Sequence, residues 1–131
     1  MLRIGFFPNF KNADSVLVAA DAEGVRVLLD AIAKVTATPG DAVPIHELAR
    51  ISVKHPAFLY AVNAKAVRSV PPNTYYLDVS GGARLNVVGL LEPLLTSSAG
   101  HQFFDLIPKP IDLIVSVGEY DASWWDRVET M

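Results

Sequence analysis

The stretch Ile111-Asp-Leu-Ile-Val-Ser-Val-Gly-Glu-Tyr-Asp-Ala-Ser-Trp-Trp125 decides how the chain is read. Ile111, Leu113, Ile114, Val115 and Val117 form an apolar, mostly β-branched run too short to cross a bilayer. They predict a central, largely buried strand on which the remaining elements pack. Gly118 ends the run. Glu119, Tyr120, Asp121, Trp124 and Trp125 follow at its rim, where acids and large aromatic rings come together, so a site is first expected there.

The composition around this strand predicts one packed α+β domain. With 131 residues, 51% of them hydrophobic, the chain is long enough to bury a core unaided and too apolar for disorder. It contains no cysteine, which excludes disulfide staples, thiol nucleophiles and thiolate metal sites. Met1 to Pro8 lacks the apolar length of a secretory signal, and no run reaches the roughly 18 apolar residues of a membrane span. The expectation is a cytoplasmic protein that does not enter a membrane.

The net charge of −3 is unevenly spread. From His101 onward, Asp105, Asp112, Glu119, Asp121, Asp126 and Glu129 face only Lys109 and Arg127, a balance of −4 that leaves +1 for the rest. An acidic end repels phosphate backbones and attracts basic surfaces. Nucleic acid is therefore not expected as a partner, whereas a basic protein is.

Further from the central strand, the readings are local. Leu2 to Phe7, stopped by Pro8, suggests a short edge strand or an N-terminal arm, and Ser15 to Ala20 a second strand. Asp21 is placed to cap a helix with Glu23 in its first turn. Val25, Leu28, Leu29 and Ile32 give that helix one apolar face as far as Val35, with Asp30 and Lys34 spaced for a surface pair. Pro39-Gly40-Asp41 is a turn. Val43 to Leu48, Ile51 to Val53, Ala57 to Val62, Tyr75 to Val79 and His101 to Leu106 read as strands. Lys65, Arg68 and a Pro-Pro pair make a basic connection between two of them. Arg84 to Leu95 has a helical face weakened by Gly89 and Pro93, and its state is left open.

Laid end to end, these elements suggest a β-α-β-β unit used twice. The matching architecture is a two-layer sandwich, a mainly antiparallel sheet with two helices on one face.

No motif for chemistry stands out. Gly81-Gly82 lacks the surroundings of a phosphate loop, and Ser116-Val-Gly lacks the nucleophile elbow of a hydrolase. His46, His55 and His101 are too dispersed for a local metal motif, although related halves would bring His46 and His101 into corresponding strands. Neither a metal nor a cofactor is expected. His101, Asp105 and Glu119 remain an alternative centre for a small enzyme or metal-dependent protein.

Asp21-Ala-Glu-Gly-Val-Arg-Val-Leu-Leu29 as a helix start, with Gly100-His-Gln-Phe-Phe-Asp-Leu106 as a following strand, resembles small bacterial immunity-type proteins of polymorphic toxin systems. The resemblance covers two segments, the D-x-E-G of the first and the G-H-x-x-x-D of the second. It implies a non-enzymatic protein that covers a partner's active site through an acidic, aromatic surface. Glu119, Tyr120, Asp121, Trp124 and Trp125 supply one. Arg50, Lys54, Lys65, Arg68 and Arg84 depart from that pattern. Three readings follow: a binding protein with a basic partner, an enzyme centred on His101, Asp105 and Glu119, and a homodimer joined through a strand edge.

Overall fold

Lys11 and Asn12 both take positive φ angles, 51° and 73°, in the computed structural model, which describes residues 1–67 and 69–130. Two such residues in succession make the tight turn whose twist suits a hairpin. They join β1 (Leu2–Phe10) to β2 (Ala13–Ala20). Pro8 is accommodated because the pairing is irregular between Phe7 and Phe10, where the Asp14 carboxylate accepts the Asn9 N–H at 2.8 Å. The expected short edge strand is thus a nine-residue interior strand. Its other side pairs in parallel with β4 (Arg50–Ile51).

On the far side of β2 lies β8 (Asp112–Val117), parallel to it from Ser15↔Asp112 to Ala20↔Val117. Then comes β7 (Gly100–Asp105), antiparallel to β8. The five-stranded sheet has the order β4-β1-β2-β8-β7. As the apolar run predicts, β8 is interior and buried from Leu113 to Val117.

A second sheet, ordered β3-β5-β6, consists of β3 (Ala42–Pro44), β5 (Phe58–Val62) and β6 (Thr74–Asp78). β3 and β5 are antiparallel and β5 and β6 parallel. A bridge between Tyr76 and Ile107 ties β6 to the segment after β7. Both sheets are mixed, which corrects the single, mainly antiparallel sheet read from the sequence. The predicted strand from Val43 to Leu48 lasts only to Pro44, and Ile45–Leu48 is a 3₁₀ turn.

Helix α1 (Ala22–Lys34) follows its prediction: Asp21 caps it through a 2.8 Å bond from Gly24 N–H. Val25, Leu28, Ala31 and Ile32 are buried. The D-x-E-G segment has a local cause. Asp21 is the cap, Glu23 pairs with Arg26 at 3.2 Å, and a Cβ on Gly24 would lie 2.1 Å from the Met1 carbonyl oxygen. Among the described residues, Asp30 and Lys34 form no ion pair. The open segment is helical: α2 (Gly82–Leu91) follows the turn at Gly81 and runs into a 3₁₀ turn, Glu92–Thr96. Pro93 stands near the start of that turn, where the geometry changes.

The large sheet is covered on both faces. Leu2, Ile4, Val16, Val18, Leu113 and Val115 look towards α1, α2 and the second sheet, and all belong to one core. Phe7, Leu17, Ala19 and Ile114 look the other way, onto Trp125 of α3 (Ala122–Thr130). This third helix corrects the expectation of two helices on one face. Three layers result, because the sheet's other side is apolar too.

The strands that the proposed repeat sets side by side pair alike, in different sheets: β3 with β5 and β7 with β8 are antiparallel, and β5 with β6 and β8 with β2 are parallel. Lys65 lies in a short 3₁₀ turn, Ala64–Ala66, and Arg68 falls outside the described residues.

Candidate functional site

Gly118 sets the geometry at the end of β8. Its φ is +74°, and a Cβ there would lie 2.0 Å from the Ser98 carbonyl oxygen, so the tight turn needs glycine. The turn sends Glu119 back across the face of the strand it has just left. There, cross-strand pairing places His101 directly opposite Ser116. His101 Nδ1 lies 3.0 Å from both Glu119 carboxylate oxygens, and the Ser116 hydroxyl donates to Oε1 at 2.5 Å. Partial burial opposes ionisation of Glu119, but the bonds from Ser116 and His101 and the charges of His101 and Lys11 outweigh it. Its carboxyl is held below the ordinary carboxylate range.

These three side chains do not make a nucleophilic triad. Ser116 is buried and donates to the carboxylate, so no hydrogen bond runs from its hydroxyl to the imidazole. Asp105 is not part of the group. It lies four residues along the same strand from His101, about 13 Å away at the rise of an extended chain. Its cross-strand neighbour is Asp112. Asp105, Asp112 and Asp78 instead line a cleft of about 320 Å³ between β6, α2 and β7. Asp78 already accepts bonds from the Ser80 N–H and hydroxyl at 2.9 and 2.6 Å.

Between His101 and Asp105, on the same face, stands Phe103. It is 48% exposed, and its ring centre lies 5.3 Å from that of His101. β7 ends the sheet, so one side of its backbone has no strand partner among the described residues. The sequence reading missed Phe103 as a surface feature, because a phenylalanine in a strand usually packs inward.

The C-terminal residues divide by role. Trp125 is 1% exposed and fills the second core, packed edge-on against Phe7. Trp124 is half-buried between Tyr120, Phe7 and Phe10, with the Tyr120 ring centre 4.7 Å away. Asp121 caps α3, accepting the Trp124 N–H at 2.9 Å. Of the five residues in the sequence-derived binding set, Glu119 and Asp121 are exposed, and Tyr120 and Trp124 are partly so.

The other histidines lie elsewhere. His46 meets the Leu59 carbonyl at 3.1 Å in the small sheet, and His55 packs on Phe7. Among the described residues, no three His, Asp or Glu side chains converge as metal ligands. Comparison with protein-family models, with curated proteins and with solved structures finds no match to this chain.

Proposed function

We propose that this chain is a protein-binding protein whose recognition face is the outer side of β7, with Asp112 beside it, continuing to the rim at Glu119, Tyr120, Asp121 and Trp124. One observation carries the reading: edge strand β7 presents half-exposed Phe103 between His101 and Asp105, on an edge without a strand partner among the described residues. An exposed phenylalanine supplies an apolar anchor, and an open strand edge supplies main-chain donors and acceptors to an extended segment. Asp105, Asp112 and Glu119 around it favour a basic partner. The resemblance to immunity-type proteins points to a toxin as the kind of partner such a face would cover.

The test is affinity capture of the tagged chain from the cells that make it, with the intact protein and with Phe103→Ala combined with Asp105→Lys. A basic partner at equal stoichiometry, lost in the variant while circular dichroism is unchanged, is the expected result. Retention of the same partner by the variant would remove this face from consideration. The open edge of β7 also favours a second reading, a homodimer in which two such edges pair. A native mass of twice the monomer, with nothing else bound, distinguishes it.

A further inference from the structure

The parallel pairing of β1 and β4 sets Arg3 directly beside Arg50. The alternation along β1 puts both on the face that carries α3, the side of Phe7 rather than of Ile4. Two guanidinium groups on neighbouring strands repel each other unless something anionic lies between them. Among the described residues, neither makes an ion pair, although carboxylates are near. Both line a cavity of about 220 Å³ between β4 and α3, together with Ser52, Trp125, Asp126 and Glu129.

Two features of the cavity's surroundings bear on its occupant. The first is Trp125, which is 1% exposed while its indole Nε1–H has no acceptor among the described residues. A buried donor left unmade is costly, and the ring that carries it borders this cavity. The second is Glu129, whose carboxylate accepts the Lys54 N–H at 3.1 Å. That carboxylate is engaged by the turn after β4 and, among the described residues, forms no ion pair with either arginine. Asp126 is exposed and reaches neither of them.

We infer that this cavity is a binding site for a small oxyanion, a carboxylate or phosphate group held by Arg3 and Arg50 and accepting the Trp125 indole N–H. Planar guanidinium forks suit both groups, through paired N–H donors. At about 220 Å³ the cavity admits the anion and a short appendage. The site is separate from the β7 face and stands or falls without it.

The experiment is a ¹H–¹⁵N titration of the full chain, separately with inorganic phosphate and with acetate, at an ionic strength held constant by chloride. The chain has two tryptophans and so two indole signals, which Trp124→Phe assigns. The Trp125 signal should shift saturably while that of Trp124 stays in place. A response to only one anion names the group that the site takes. Arg3→Gln with Arg50→Gln should weaken the affinity about tenfold or more. If that pair disturbs the fold, Arg50→Gln alone, at an exposed side chain, should weaken it about threefold. A Trp125 signal unmoved by either anion, or equal affinity in a folded arginine variant, would overturn the assignment.

Discussion

The two faces of the five-stranded sheet are closed by different means. One is covered by α1, α2 and the second sheet, with buried side chains from Leu2 to Val117 in a continuous core. The other is covered by a single nine-residue helix, held in its centre by Trp125 against Phe7, Leu17, Ala19 and Ile114. The first face carries little chemistry beyond the cleft edge at Asp78, beside α2. The second carries the His101–Glu119 pair, exposed Phe103, the aspartates of β7 and β8, and the two arginines beyond α3. Where a helix covers only part of a sheet, the uncovered strands keep polar side chains in reach of solvent, and function has room there.

If one tryptophan closes the second face, its removal should have the largest effect on stability. Trp125→Ala is expected to cost about 3–5 kcal/mol, read from the urea midpoint, because the cavity left cannot collapse against a sheet. Trp124→Ala, at a half-buried ring, should cost about 1 kcal/mol. Equal costs for the two would break the comparison, since α3 would then be held by its rim and not by its centre.

The next effect lies at the turn that returns Glu119 to the sheet. Gly118→Ala should destabilise by about 1–3 kcal/mol, through its positive φ and the approach of the Ser98 carbonyl. The same variant should displace Glu119 from His101, visible as a shift of the imidazole resonances. A variant as stable as the parent would mean that the turn relaxes without strain. On the closed face, Asp21→Ala removes the cap of α1 and should cost about 1 kcal/mol by the same measurement.

How far these contrasts can be read from sequence depends on how local their causes are. β8 is legible because a strand buried on both faces must be apolar at nearly every position. α1 is legible because its apolar spacing and its cap at Asp21 lie within one short segment. α3 escaped because it buries only Trp125 fully; Asp126, Arg127 and Thr130 made the rest look like a solvated tail.

The split into two sheets was illegible for a different reason. β2 with β8 is a parallel pair between segments about a hundred residues apart, β5 with β6 is a parallel pair between successive strands, and no local pattern states which strands will meet. The site followed the same rule. His101 and Glu119 meet across one antiparallel pair. Asp105 is near His101 in sequence, but an extended strand carries it away. Arg3 and Arg50 become neighbours only through the pairing of β1 with β4, so no spacing could have announced them.

The smallest expected effect is a pH dependence at the open face. The Glu119 carboxyl titrates below its ordinary 4.5, because Ser116 and His101 bond its charged form more strongly than partial burial disfavours it. A group whose value is depressed on folding contributes stability above its unfolded value, and loses that contribution as pH falls through the folded one. The difference in urea midpoint between the parent and Glu119→Gln should therefore be constant above about pH 5 and shrink as the pH falls further. Both side chains of the pair keep contact with solvent, at 34% and 28% exposure, and that contact screens part of the effect. A difference that persists unchanged to the acid limit would show that Glu119 is not held by these donors. The open face would then lose the fixed anion beside Phe103 on which its preference for a basic partner rests.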